Sequence, residues 1–115
     1  MGRRIRLAQK IVVAVARAKE YIDQHPLENK TTIELAEYAG ISRNLLQKAF
    51  KEINGSHIKE YYTGQKMNSA KGLLEEGMAI RQVARHCRYR SHSAFTTAFK
   101  NKFGISPRSW LKRKT

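Results

Sequence analysis

The last third of this 115-residue chain contains no acidic residue. Lys and Arg occur ten times in residues 77–115, whereas Asp and Glu are absent there. Residues 1–30 have a net charge of +4 and residues 31–76 are neutral, within a total of +14. A field of one sign attracts polyanions, so nucleic acid is the leading partner and an anionic membrane surface the second. The chain also offers no paired carboxylates and no serine–histidine–acid set, so we expect no enzyme.

Long apolar runs, cysteine pairs and metal-ligand clusters are also missing. The run Ile11–Ala16 falls far short of the roughly 18 residues of a membrane span, and Lys10 and Arg17 bracket it. Cys87 is the only cysteine and cannot form an internal disulfide, which fits a reducing cytosol. His86 beside it does not make a zinc site, because zinc takes four ligands. We expect no membrane segment, no metal and no cofactor.

The remaining pattern is helical throughout, and no segment shows sustained period-two alternation. In residues 4–24 we expect one amphipathic helix whose buried stripe contains Ile5, Ala8, Val12, Val15 and Ile22. The prediction is an all-α fold of about seven helices. Its organisation is an N-terminal helix or linker (1–30), a first unit (31–55), a long connecting helix (56–77), and a second unit with a C-terminal helix (78–115).

Helix boundaries are marked by capping residues. Thr31 followed by Glu34 predicts a capping box, and Ser residues open three further helices. Ser106 does so together with a proline at the first helical position. Gly40 permits a tight turn after the second helix, and Gly55 ends the third.

A repeat organises the chain. "AFKEING" at residues 49–55 returns as "AFKNKFG" at residues 98–104, an offset of 49 residues. Tyr61 and Trp110 each follow the glycine by six residues, and further upstream the offset becomes 48. Such an echo indicates a duplicated supersecondary unit.

Each repeat has a short helix, a tight turn and a second helix, which is the order of elements in a helix-turn-helix motif. Leu46 and Phe50 are one turn apart and are expected to be buried, as are Phe95 and Phe99 in the second copy. The opposite face then presents polar side chains that can reach base edges and phosphates. In the first copy these are Arg43, Asn44, Gln47, Lys48 and Lys51, and in the second His92, Ser93, Thr96, Thr97 and Lys100.

The connecting segment between the two helix-turn-helix units has a length that matters for DNA binding. About 20 helical residues span roughly 30 Å, close to the ~34 Å between successive major-groove faces of B-DNA. A rigid connector of this length suits two recognition helices in adjacent grooves. Because the two faces differ, the DNA site is expected to be asymmetric.

Two long segments resemble the halves of the AraC/XylS-type DNA-binding domain. They are "TTIELAEYAGISRNLLQKAFKEINGSHIKEYYTGQKMNSAKGLL" and "AIRQVARHCRYRSHSAFTTAFKNKFGISPRSW", within roughly residues 15–112. The most specific parts are "FKNKFGISP", "ELAEYAGIS" and the A-x-x-L-L of Ala70–Leu74. The resemblance implies a bacterial transcription regulator, usually an activator, that binds asymmetric promoter DNA and contacts RNA polymerase. A cytoplasmic, nucleoid-associated location and an upstream sensor domain go with this family.

Site residues follow from the residues and from the resemblance. The resemblance places base reading on Asn44, Gln47 and Lys48, and on His92, Ser93, Thr96 and Thr97; Arg43 joins them from the helical pattern. The residues assigned to phosphates are Ser42, Lys51, Arg88, Arg90, Ser91, Lys100 and Lys102.

The chain departs from the family pattern mainly in the second turn. Arg88-Tyr89 stands where the family usually has Gly-Phe. The replacement of glycine makes the turn less flexible unless Arg88 tolerates the backbone conformation of the turn. It also adds a positive charge close to the phosphates. A family arginine is Lys66 here, and Gln82 replaces a usual acidic residue.

Several alternatives stay open at this level. The first unit, neutral and rich in amides, is expected to discriminate sequence, while the basic second unit anchors on phosphates. Arg3, Arg4 and Arg6 contact DNA or an upstream domain, or form a solvated N-terminus, and residues 112–114 are either a phosphate-binding tail or a solvated end. The rival function is a non-specific basic nucleic-acid-binding protein.

Overall fold

The computed structural model describes the backbone of residues 2–114 and the side chains of residues 7–113. Within these residues the chain forms seven helices and no strand. They are α1 (Gly2–Gln24), α2 (Thr32–Ala39), α3 (Arg43–Asn54), α4 (Ile58–Glu75), α5 (Ile80–His86), α6 (His92–Phe103) and α7 (Pro107–Lys114). The prediction of an all-α fold with two helix-turn-helix units is confirmed. The side chains of Arg3, Arg4, Arg6 and Lys114 lie outside the described residues.

The chain divides into two compact units. Unit 1 comprises Met1–Tyr62 and unit 2 comprises Thr63–Thr115, so the boundary falls inside α4. Counted over these ranges, the sequence gives unit 1 a net charge of +4 and unit 2 a net charge of +10.

Side-chain caps begin four of the helices, as the sequence predicts. In each case the hydroxyl oxygen accepts an N–H three residues further on, which satisfies one of the donors left open at a helix N-terminus. The pairs are Glu34 N–Thr31 Oγ1 at 3.1 Å, Leu45 N–Ser42 Oγ at 3.2 Å, Ala94 N–Ser91 Oγ at 3.1 Å and Ser109 N–Ser106 Oγ at 3.1 Å.

Unit 1 packs α1 across α2 and α3. Leu46 and Phe50 of α3 are fully buried, with Leu35 and Ala36 of α2 beside them. From α1 the core takes the stripe Ala14, Val15, Ala18 and Ile22. Two small alanines in this stripe let the helix backbones approach closely.

The predicted stripe of α1 was wrong in part. Val15 and Ile22 are buried, but Val12 is 52% exposed and Ala8 is also exposed; the Ile5 side chain lies outside the described residues. The observed stripe is centred about one position away, on Ala14, Val15, Ala18 and Ile22.

Unit 2 repeats this packing with larger aromatic content. Phe95 and Phe99 of α6 are fully buried, and their ring centroids are 6.0 Å apart. Trp110 of α7 meets Phe99 edge-on at 6.3 Å. Each recognition helix is therefore held from behind by aromatic packing, which leaves its other face for solvent.

The two helix-helix turns have the same backbone form with different residues. Gly40 has φ +81°, and Arg88 has φ +60°. The N–H of the next residue then donates to the fifth residue back in both turns, Ile41 to the Ala36 carbonyl at 3.2 Å and Tyr89 to the Ala84 carbonyl at 3.1 Å. Arg88 therefore adopts the left-handed conformation of the glycine it replaces, and the second turn keeps its shape.

Candidate nucleic-acid interface

The recognition face of unit 1 is a polar stripe along α3. Asn44 and Lys48 are exposed and Gln47 is half-buried, one turn above Lys51. These four side chains line an open groove of about 770 Å³ whose other wall is the first turn of α4. The remaining lining residues are Glu52, His57, Ile58 and Lys59.

Basic groups gather at one end of this groove. Lys51 Nζ lies 3.3 Å from His57 Nε2. Because an ammonium only donates, the imidazole nitrogen facing it is the acceptor. Glu52 is the one carboxylate in the lining, against three lysines. Anionic ligands are thus favoured over cationic ones.

Arg43 and Ser42 lie at the N-terminal end of α3. Both are exposed, and the Ser42 hydroxyl is engaged as the helix cap. Neither residue lines the groove beside α4.

The recognition face of unit 2 divides into two parts on α6. His92 and Thr96 line a groove of about 450 Å³ that is closed by Ile80 and by Ser106, Pro107 and Arg108 of the α7 start. His92 Nδ1 and Thr96 Oγ1 are 3.5 Å apart. Ser93, Thr97 and Lys100 are exposed on the neighbouring stripe and do not line this groove.

The two grooves are equivalent parts of the repeat. Each lies between a recognition helix and the first turn of the helix that follows it. The 49-residue offset relates Gln47 to Thr96, and it also relates Lys59 to Arg108. Sequence patterns missed Lys59, Arg108 and His57 as candidate site residues. The signal was present in the repeat, which places a basic residue at the second position of both following helices.

The remaining phosphate candidates lie around the second turn and along α6. Arg88, Arg90 and Ser91 are exposed, and the Ser91 hydroxyl is engaged as the cap of α6. Lys102 is exposed as well, but its Nζ lies beside Gly64 of α4, 3.3 Å from where a Cβ there would be.

Beneath the second turn, burial changes the ionisation of several groups. Lys66 Nζ lies 5.3 Å from the centre of the Tyr89 ring. Burial lowers the pKa of the Lys66 ammonium, Cys87 opposes that shift, and Arg88 adds to it. Burial raises the pKa of the Cys87 thiol to about 11, so little thiolate exists near neutral pH and a redox role is disfavoured.

Over residues 2–114, no helix is long and apolar enough to cross a membrane. The same part of the chain contains no group of three or more histidine, cysteine or acidic side chains arranged to hold a metal ion.

Comparison with known proteins identifies the class. A family model described as a helix-turn-helix domain matches residues 35–113. The putative AraC-like transcription regulator of Streptomyces antibioticus is 33% identical over 85% of this chain and 33% of its own length. The xylose operon regulatory protein of Escherichia coli K12 is 30% identical over 84% of this chain and 25% of its own length. The chain belongs to the AraC-type family of helix-turn-helix transcription regulators.

Solved structures agree with this assignment. The C-terminal domain of AraT, a response regulator from Geobacillus stearothermophilus, has a TM-score of 0.79 at 28% identity and covers 87% of this chain and 84% of its own. The DNA-binding domain of AdpA, a global transcriptional factor solved in complex with a target DNA, has a TM-score of 0.75 at 27% identity, with 84% and 87% covered. The present chain spans about a third of the length of the Streptomyces antibioticus regulator and about a quarter of that of the xylose operon regulatory protein.

Proposed function

We propose that this chain is a sequence-specific regulator that binds double-stranded promoter DNA. In this proposal α3 and α6 enter successive major grooves of an asymmetric site. The observation that supports it most is the pair of equivalent grooves, each beside an exposed polar recognition helix. The known complex of the AdpA domain with DNA adds support from a structural relative.

Unit 1 is proposed to read bases with four side chains of α3. Asn44 and Gln47 carry amides, which pair in bidentate fashion with adenine N6 and N7. Arg43 and Lys48 are donors suited to guanine O6 and N7. The exposure of Asn44 and Lys48 and the position of Gln47 in the groove support this assignment.

Unit 2 is proposed to contribute four shorter groups from α6, namely His92, Ser93, Thr96 and Thr97. Hydroxyls can pair with several base edges, and the methyl of threonine can contact the methyl of thymine. These contacts discriminate less sharply than bidentate pairs. The basic surroundings of unit 2 therefore suit an anchoring role, with sequence discrimination assigned mainly to unit 1.

Phosphate contacts are proposed for residues just before each recognition helix and for lysines in its C-terminal half. They position the protein on the duplex without specifying its sequence. In unit 1 these are Ser42 and Lys51; in unit 2 they are Arg88, Arg90, Ser91, Lys100 and Lys102. Exposure of all of these side chains supports the assignment.

The chain passes from one unit to the other within α4. This helix has 18 residues, which corresponds to about 27 Å at ~1.5 Å per residue. In the proposal, one chain thus presents two recognition helices, where a helix-turn-helix dimer presents one from each subunit.

A role as activator that contacts RNA polymerase is also part of the proposal, as are a bacterial cytoplasmic, nucleoid-associated location and an upstream sensor domain. Its support is the family, whose members here include the xylose operon regulatory protein. The relatives are also three to four times longer than this match, which is consistent with a further domain in such proteins.

The alternative is a non-specific basic nucleic-acid-binding protein, which the net charge of +14 favours. Selection of binding sites from randomised duplex DNA at physiological salt separates the two. We expect a non-palindromic motif in two parts about one helical turn (~10 bp) apart, bound at least ~10³-fold more tightly than random DNA. Equal binding of all sequences, with affinity lost as salt rises, would establish the alternative.

A further inference from the structure

Both units place a basic residue at the same point of the repeat, on the wall opposite the recognition helix. Lys59 is the second residue of α4 and lines the groove beside α3. Arg108 is the second residue of α7 and lines the groove beside α6. The two residues are 49 positions apart, the offset that relates the recognition helices themselves.

These positions are electrostatically unusual for a cation. The first turn of a helix carries a partial positive charge, so a cation there is less favourable than at the C-terminal end. Lys59 is followed by Glu60, whereas the first turn of α7 contains no acidic residue. A bound anion would offset this repulsion in both helices.

The groove walls supply further groups suited to an anion. In unit 1, Lys51 Nζ is 3.3 Å from His57 Nε2, and both side chains line the groove with Lys59. In unit 2, His92 and Ser106 line the groove with Arg108. The residues equivalent to His57 and Lys59 are thus Ser106 and Arg108, so each groove has a cation and a hydrogen-bonding neighbour.

We infer that Lys59 and Arg108 are a pair of equivalent DNA phosphate-binding residues, one for each recognition helix. Each binds a backbone phosphate at the edge of the major groove that its recognition helix enters. The ammonium of Lys59 acts as a point charge, and the guanidinium of Arg108 can bind two phosphate oxygens at once. This inference rests on the proposed DNA-binding function and extends it to the helix that follows each recognition helix.

The test compares Lys59→Ala and Arg108→Ala with Lys10→Ala, a control that removes one exposed charge from α1 away from both grooves. Binding to a random-sequence duplex is measured over a range of salt concentrations. Each phosphate contact contributes about 0.9 to the slope of log K against log salt. We expect each groove variant to lower the slope by about that amount, and the control to leave it unchanged.

A second measurement locates the phosphates. Neutral methylphosphonates replace the phosphates of a selected duplex one at a time, and each variant is compared with the wild-type chain. One methylphosphonate should weaken binding by the wild-type chain but not by Lys59→Ala. A methylphosphonate at another position should weaken binding by the wild-type chain but not by Arg108→Ala. The two sensitive positions should lie about one helical turn (~10 bp) apart.

The outcomes separate this inference from the proposed function. Unchanged slopes in both groove variants, or an equal loss in the control, would overturn the inference. The groove variants could lower the salt slope while the two sensitive phosphates do not lie one helical turn apart. That result would retain both phosphate contacts and contradict insertion into successive grooves. Lowered slopes in a protein that binds all sequences equally would retain the contacts and contradict sequence-specific regulation. Since all three side chains are exposed, circular dichroism should show folded variants.

Discussion

Units 1 and 2 share a backbone plan but present different chemistry to solvent. Leu46 and Phe50 in one, and Phe95 and Phe99 in the other, are fully buried at equivalent positions. Their exposed stripes differ, with amides and lysine on α3 and with hydroxyls on α6. The net charge is +4 in unit 1 and +10 in unit 2. Each of these core positions therefore keeps a large apolar side chain in both copies, whereas the exposed residues change from amide and lysine to hydroxyl.

The largest expected effect concerns the buried core that the two units have in common. Phe50→Ala and Phe99→Ala each remove a fully buried ring and should cost about 3–5 kcal/mol of folding free energy. Hydrogen exchange followed by NMR should show faster exchange mainly in the unit that carries the substitution. Equal loss of protection in both units would mean that they unfold as one cooperative block.

The next effect concerns sequence discrimination. Gln47→Ala should lower the preference for the selected site by about 1–3 kcal/mol, because a bidentate base contact is lost. Thr97→Ala should change that preference by less, because unit 2 is proposed to bind chiefly phosphates. Competition between the selected duplex and single-base variants measures both. A larger loss of preference in Thr97→Ala would reverse the assignment of the units.

A smaller effect tests the two turns. Arg88 is held at φ +60° and Gly40 at φ +81°. The left-handed conformation costs an ordinary residue roughly 1–2 kcal/mol, and the greater freedom of unfolded glycine offsets part of this. We expect Arg88→Gly to stabilise and Gly40→Arg to destabilise, each by about 1 kcal/mol.

Chemical denaturation checks these two variants. No heavy atom other than those of the neighbouring residues lies within 4 Å of a Cβ at Gly40, so backbone strain and not a clash is tested there. Destabilisation by Arg88→Gly would show that the arginine side chain stabilises the turn by more than its backbone costs.

The smallest effect concerns two tyrosines whose pKa values rise for different reasons. A hydrogen bond to Glu28 is the main cause that raises the pKa of Tyr21 in unit 1 to about 12. Burial, with Cys87 adding to it, raises the pKa of Tyr89 in unit 2. Glu28→Gln should return the Tyr21 pKa toward ~10 and leave that of Tyr89 unchanged.

The sign of the pH dependence follows from the raised pKa. Folding favours the protonated Tyr21, so its contribution to stability is complete below about pH 10. It is lost as the pH rises through about 12, the folded value. The ultraviolet absorbance of tyrosinate, followed during pH titrations of the wild-type chain and of Glu28→Gln, measures the change in the pKa of Tyr21. A Tyr21 pKa unchanged by Glu28→Gln would refute the role of the carboxylate.

Helix positions were predictable from local sequence. Thr31, Ser42, Ser91 and Ser106 cap their helices as predicted, because a capping bond joins groups only three residues apart. The buried pair of each unit, Leu46 with Phe50 and Phe95 with Phe99, was likewise predictable from its spacing along one helix.

Other features were not predictable because they depend on distant parts of the chain. Val12 was expected in the core but is 52% exposed, since the fit of α1 against two other helices selects its buried stripe. The repeat relates Lys59 to Arg108 in the sequence, but that each of them lines the groove beside its recognition helix depends on the folded structure.

The amino-acid sequence by itself determined the seven helices, their caps, the duplicated unit and the uneven distribution of charge. These features depend on composition and on bonds between residues a few positions apart. Only the tertiary structure decided which stripe of α1 is buried, which basic residues meet each recognition helix, and that Arg88 adopts the conformation of a glycine. Those outcomes arise from close packing between helices, where side chains far apart in sequence compete for the same space.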